Sequence, residues 1–195
     1  QEAAKVLPNI RYYRVETKMK IGAKRNLLNQ YANGDIIVCM DDDDYYPPEH
    51  ISSVVDMFKK YPRANIAGSS EVLLYYVDTK LIYTFGPIHS NHATNNTFAY
   101  RKKYTTNHSY DESVDCGEEA SFTNDFTELM IQLDPMKTIL IICHSSNTVN
   151  KFRIRDCPYN KKEDTNQTVR KTPYLLSTLL SDSIALDFYK NLSLA

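Results

Sequence analysis

Four consecutive carboxylates, Asp41 to Asp44, follow directly on the mostly apolar run GDIIVCM and lead into Tyr-Tyr-Pro-Pro at 45–48. Adjacent like charges repel one another, so an ordinary fold gains nothing by collecting them. If the extended geometry of the preceding run persists, Asp41 and Asp43 point one way and Asp42 and Asp44 the other. Two carboxylates on one side then stand about 7 Å apart along the backbone. Such a pair can bracket a hydrated divalent cation and the phosphates it carries, and hard carboxylate oxygens suit Mg²⁺ or Mn²⁺. The cation would relieve the repulsion that otherwise raises a carboxyl pKa. A solvated acidic turn opening the next helix needs only one or two aspartates. Four of them, set straight after an apolar strand, favour the metal.

The elements around this cluster follow from periodicity. DIIVCM (35–40) is an apolar run of strand length, the pattern of a strand covered on both faces. Ahead of it, GAKRNLLNQYANG (22–34) carries Ala23, Leu27, Leu28 and Tyr31 on one helical face and ends in Asn33-Gly34. After Pro47 and Pro48, Ile51, Val54, Val55 and Phe58 repeat at helical spacing, with Lys59 and Lys60 at the end that favours cations. IRYYRV (10–15), ANIAGSS (64–70) and TFAYRKKY (97–104) read as strands. EVLLYYVDTKLIYTFG (71–86) reads as a hairpin turning at Asp78-Thr79-Lys80. EEASFTNDFTELM (118–130) places Phe122, Phe126, Leu129 and Met130 on one helical face, and KTILIICHSS (137–146) is a second fully apolar strand. Residues 155–172 are polar and irregular, and an amphipathic helix closes the chain over about 172–192. This order predicts an α/β fold with a mixed sheet flanked by helices. Such sheets bind ligands at the carboxyl ends of their strands, where the aspartates fall.

Bulk properties narrow the class. A chain of 195 residues with 42% apolar content can bury one good core, so a single domain over 1–195 is expected, with its core at about 10–155. A net charge of −1 without a basic stripe argues against nucleic acid, and RKKY (101–104) reads as a solvated strand end. No apolar run approaches the roughly 20 residues that span a bilayer. Cys39, Cys116, Cys143 and Cys157 show no paired or zinc-like spacing and read as reduced thiols, which fits the cytoplasm. Asn-x-Ser/Thr triplets at Asn95, Asn107, Asn166 and Asn191 are of a kind that arises by chance. The abrupt start without Met is expected of a fragment or trimmed domain.

The segment IGAKRNLLNQYANGDIIVCMDDDDYYPPEHI (21–51) resembles the core signature of GT-A-type nucleotide-sugar glycosyltransferases. These carry an Arg-Asn helix, a Gly-Asp turn, an apolar strand and a DxD-type acidic motif. The multi-Asp form before Tyr-Tyr-Pro-Pro is especially similar to domains encoded by large DNA viruses of algae and amoebae, for which the host cytoplasm is the expected location. The resemblance covers about residues 10–155. It implies a GT-A (Rossmann-like) fold whose nucleobase-holding first strand is trimmed or missing here.

Carried over residue by residue, Asp41 and Asp43 match the DxD positions that contact ribose and the diphosphate-bound metal. Asp42 and Asp44 are extra carboxylates; Asp42 is assigned to the nucleotide sugar and Asp44 to the metal, with direct ligation left open. Lys24, Arg25 and Asn26 match the helix segment facing the nucleotide, where Arg offers a planar fork of donors and Lys a point charge. DCGEEASF (115–122) resembles the acidic segment under the acceptor, making Glu118 and Glu119 the candidates to deprotonate the acceptor hydroxyl if the enzyme inverts or only to orient it if it retains; the alternative is first-turn acids stabilising a helix. His144, just after an apolar strand, matches a late metal ligand, which would tilt preference toward Mn²⁺ over Mg²⁺. GPIHSNHATNNTFAYRKKY (86–104) resembles the segment gripping the donor sugar, with His92, Thr94 and Asn95 as candidates and His89 and His108 unassigned.

The resemblance therefore implies metal-dependent transfer from a nucleoside diphosphate sugar, above all a UDP sugar, to a hydroxyl of a glycan or glycoprotein. Two rivals remain at this level. A haloacid-dehalogenase-type phosphatase or phosphotransferase also places Asp-x-Asp after an apolar strand, although Tyr45 departs from its pattern. A non-enzymatic, metal-assisted carbohydrate-binding module would lack nucleotide dependence, and the Gly-punctuated calcium loop is absent from the sequence.

Overall fold

The structure, a computed structural model, describes residues 9–147, 149–156 and 169–192. Cys157, Asn166 and most of the irregular stretch expected over 155–172 lie outside the described residues. Among the described residues, eight short strands form two four-stranded mixed sheets where one sheet was expected. In the first, β5 (Ala99–Arg101) runs antiparallel to both β1 (Ile36–Val38) and β2 (Ile66–Gly68), and β6 (Ile131–Gln132) runs parallel to β2. In the second, β3 (Val72–Tyr76) and β4 (Leu81–Phe85) form the predicted hairpin. There β7 (Leu140–Cys143) lies parallel to β3, and β8 (Val169–Lys171) antiparallel to β4. A bridge between Tyr45 and Leu140 joins the loop after β1 to the second sheet.

Alternation along β3 sends its side chains to two different layers. Leu73 and Tyr75 face Ile82, Ile142, Leu176 and Leu180, whereas Val72, Leu74 and Tyr76 face Ile139, Ile141 and Cys143. The first sheet is likewise covered on both faces. Val54 and Phe58 of helix α2 (His50–Lys60) pack on Ala67 and Ala99. Opposite them, Ile66 and Tyr100 meet Tyr104, Tyr110 and Phe122.

Several sequence expectations give way for identifiable reasons. IRYYRV forms no strand, and residues 10–15 are exposed. Strand β1 is only partly buried because β5 is its sole neighbour in the sheet among the described residues. Helix α1 (Ile21–Tyr31) forms as expected, but Leu28 and Tyr31 of its apolar face are exposed, and Gly22 and Asn29 are the buried positions. The helix docks so closely that a Cβ at Gly22 would lie 2.0 Å from the Asp111 carbonyl oxygen. The helix expected over 118–130 stops after one turn, α3 (Glu119–Phe122), because Asn124, Asp125 and Phe126 take left-handed φ of 50°, 55° and 57°. The closing helix is divided into α5 (Leu176–Leu179) and α6 (Ser183–Asn191), the second capped by Asp182, which accepts from the Ala185 N–H at 2.7 Å. The basic run at 101–104 is not a solvated end: Arg101 donates to the Phe58 and Ala64 carbonyls at 3.0 Å, and Lys102 to the Asn29 carbonyl.

Candidate active site

The chain leaves β1 and turns tightly through the aspartates, so their side chains do not alternate as an extended strand would have them. Carboxylate oxygens of Asp41, Asp43 and Asp44 come within 4.8 Å of one another, and exposed Asp42 stands outside that group. Tyr46 pins the turn: its hydroxyl accepts from the Asp41 N–H and donates to the Asn96 carbonyl, both at 2.9 Å. Asp44 is buried, accepting from the Ile142 N–H at 2.9 Å and from the Asn96 amide at 3.1 Å. Burial raises its pKa, against the nearby charge of Lys151 and those hydrogen bonds. The Asn147 amide nitrogen donates to Asp43 at 3.2 Å and stands 3.0 Å from His144 Nε2, which itself lies 3.8 Å from the Asp43 carboxylate. Hard oxygens this close, with an imidazole nitrogen beside them, form a donor set that fits Mg²⁺ or Mn²⁺.

Arg25 builds the opposite flank of the acidic turn. Its Nε donates to Glu118 at 2.8 Å, and Nη1 stands 3.6 Å from Asp41. Burial works against its charge, but Asp41 and Glu118 outweigh that and raise the pKa. Asn95 completes the arrangement. With its amide oxygen toward Arg25 and its nitrogen toward the Tyr110 hydroxyl, both neighbours are satisfied. Glu119 accepts from the Asn95 N–H at 3.1 Å; burial, and then the adjacent Glu118 charge, raise its pKa.

These groups line an open cavity of about 410 Å³. Lys24, Arg25, Asp41, Asp42, Asp43, Thr94, Asn95, Glu118 and Glu119 all reach it. Asp44 supports it from below, and His144 meets it through Asn147 and Asp43. Two predicted residues stand elsewhere. Asn26 brackets the backbone of Tyr110, accepting from its N–H and donating to its carbonyl at 2.9 Å, on the far side of α1. His92 packs against Phe126 with ring centroids 4.6 Å apart, and burial together with His89 lowers its pKa to about 4. His108, unassigned from sequence, pairs with Glu128 at 2.6 Å away from the cavity.

Sequence reasoning missed Asn96, Asn147 and Lys151, which also line the cavity. Asn96 lies beside the singled-out Asn95 and was there to be found; Asn147 and Lys151 sit in a polar stretch with no pattern to mark them. The buried Asn96 Oδ1 and Thr94 Oγ1 have no partner among the described residues, an uncommon state for buried polar atoms. Three thiols, Cys39, Cys116 and Cys143, are free. Asn95 is only 2% exposed, so its sequon is closed to modification in the folded chain. Among the described residues, no helix is long and apolar enough to cross a membrane.

The family model described as Glycosyl transferase family 2 matches residues 1–115, which include the acidic turn, Arg25 and Asn95 but not Glu118, Glu119, His144 or Lys151. Among solved structures, the crystal structure of S. aureus TarS 1-349 is similar, with a TM-score of 0.50 and 16% identity over 73% of this chain and 46% of that one. The chain thus spans just under half the length of that relative. No curated protein matches. The α/β GT-A, Rossmann-like fold expected from the sequence is the fold observed, built with two mixed sheets.

Proposed function

Because the chain belongs to glycosyl transferase family 2, we propose that it transfers a sugar from a nucleoside diphosphate sugar to a hydroxyl of a glycan or glycoprotein acceptor. The resemblance of residues 21–51 makes the donor a UDP sugar, and the free thiols fit work in the cytoplasm. One observation carries the reading: two of three clustered carboxylates, Asp41 and Asp43, share a single cavity with a buried carboxylate–guanidinium pair.

Asp41, Asp43 and Asp44, with His144 beside Asp43, would hold a divalent cation, Mn²⁺ ahead of Mg²⁺. When bound, that ion supplies positive charge against the departing diphosphate. Arg25 fixes Asp41 from one side and Glu118 from the other, so Glu118 is a positioning residue. Glu119 is free of any ion pair among the described residues and has its basicity raised by burial, which suits it to take the acceptor hydroxyl's proton. Thr94 and Asn96 offer the donor polar atoms that have no partner among the described residues, beside Asn95, and exposed Lys24 and Asp42 line the same cavity.

The test is a thermal-shift panel of nucleoside diphosphates and their sugars with and without Mn²⁺. A donor should raise the melting temperature, and more so with metal, since binding stabilises only the folded state. Turnover of a generic aryl phosphate with no shift by any nucleotide would replace this reading with the phosphatase one.

A further inference from the structure

Resting on that reading, the geometry points to Lys151 as a further catalytic residue: its ammonium takes an oxygen of the donor's diphosphate and neutralises charge gathering there as the sugar leaves. Lys151 lines the same cavity as Asp41, Asp42 and Asp43. It opens helix α4 (Lys151–Asp156), a short element the sequence does not announce.

The main chain around it is firmly held. The Tyr76 hydroxyl donates to the Lys151 carbonyl at 3.0 Å, and the Phe152 ring lies 5.9 Å from the Tyr76 ring. One turn on, Arg155 sits 4.6 Å over Tyr76 and donates to Asp78 at 2.8 Å. The side chain, by contrast, has no carboxylate within ion-pair distance among the described residues. A half-buried cation that faces a cavity with no ion pair among the described residues is poised for a ligand anion.

Charge balance asks for such a group. Of the cavity's cations, Arg25 is engaged by Glu118 and Asp41, and Lys24 is exposed at the rim. A diphosphate ester brings about two negative charges beside the carboxylates of Asp41, Asp43 and Asp44, more than one divalent ion offsets. Lys151 lines this cavity with no ion pair among the described residues, whereas Arg25 is spent on Glu118 and Asp41. In the transfer, the bond from the anomeric carbon to the diphosphate oxygen breaks and its electron pair stays on that oxygen. The acceptor oxygen bonds to the carbon, its proton passes to Glu119, and Lys151 keeps its own proton throughout, donating a charge-assisted hydrogen bond.

The experiment measures binding of UDP and UMP to the wild-type chain, K151M and K151R in Mn²⁺ by calorimetry, with GDP/GMP and ADP/AMP alongside. Met keeps the length of the side chain without the charge. K151M should bind the diphosphate about tenfold or more weakly while the monophosphate changes less than about twofold, and K151R should recover most of the loss. With a cognate sugar nucleotide, kcat should fall more than KM rises, because leaving-group charge is greatest in the transition state. Equal binding of UDP by K151M and wild type, or equal loss of UDP and UMP, overturns the role of Lys151 and leaves the glycosyl-transfer reading standing. Failure of the wild-type chain to bind any of the nucleotides overturns both.

Discussion

At the residue scale, Glu118 and Glu119 are neighbours in sequence with different surroundings. Glu118 is locked on Arg25, whereas the Glu119 carboxylate accepts from the Asn95 N–H and has no ion pair among the described residues. Glu119→Gln should therefore lower kcat by about 10²–10⁴-fold with donor affinity kept, as loss of a general base does. Because burial raises its pKa, wild-type activity should climb with pH to a plateau, with the midpoint above the ordinary glutamate range; a pH–rate profile checks this. His92 carries a stability signature. Its folded pKa is lowered from 6.5 to about 4, so the unfolded chain binds the proton first. Stability is unaffected above about pH 6.5 and drains away as pH falls toward about 4. His92→Phe should flatten that loss relative to wild type in denaturant titrations at pH 7 and pH 4.5. Residue type and resemblance put forward Asp41, Asp42, Asp43, Arg25 and the two glutamates, all of which line one cavity, but could not show that Asn26 spends its amide on the Tyr110 backbone and on Glu112. A side-chain amide serves backbone or ligand equally well, and only tertiary contact decides.

At the element scale, periodicity found α2 but misjudged its buried stripe. His50, Val54 and Phe58 face inward, spaced four apart, while Ile51 is 54% exposed. Phe58→Ala should cost about 3–5 kcal/mol in chemical unfolding, and Ile51→Ala less than about 0.5 kcal/mol. Equal costs would mean the helix sits rotated from the position described. The apolar strands β1 and β7 and the hairpin β3–β4 were readable because continuous apolar runs and a Asp-Thr-Lys turn leave few alternatives. The helix expected over 118–130 was not, because Phe122 and Met130 are both buried and mimic a helical face across a left-handed turn. Strand β8 went unseen for the opposite reason: Val169-Arg170-Lys171 is mostly polar and earns its place only by pairing with β4.

At the scale of the whole molecule, the cavity straddles two sheets. Asp41 leaves β1 of the first and His144 leaves β7 of the second, with the Tyr45–Leu140 bridge between them. A ligand held at the acidic turn thus braces both layers at once. UDP with Mn²⁺ at about 100 times its dissociation constant should add about 2.7 kcal/mol to folding. Asp43→Ala should abolish the metal-dependent part while leaving the unliganded melting temperature unchanged, since the exposed Asp43 carboxylate accepts from the Asn147 amide and has His144 3.8 Å away as its partners among the described residues. A retained metal-dependent shift in that variant would count against the acidic turn as the ion's seat. The sealed position of Asn95 has a practical side. Oligosaccharyltransferase acts on chains still emerging into the endoplasmic reticulum, before Asn95 is wrapped around Arg25. A glycan installed there would be too bulky to enclose, so production through a secretory route should yield less folded protein than production without it, and Asn95→Gln should not narrow that gap unless the sequon is used.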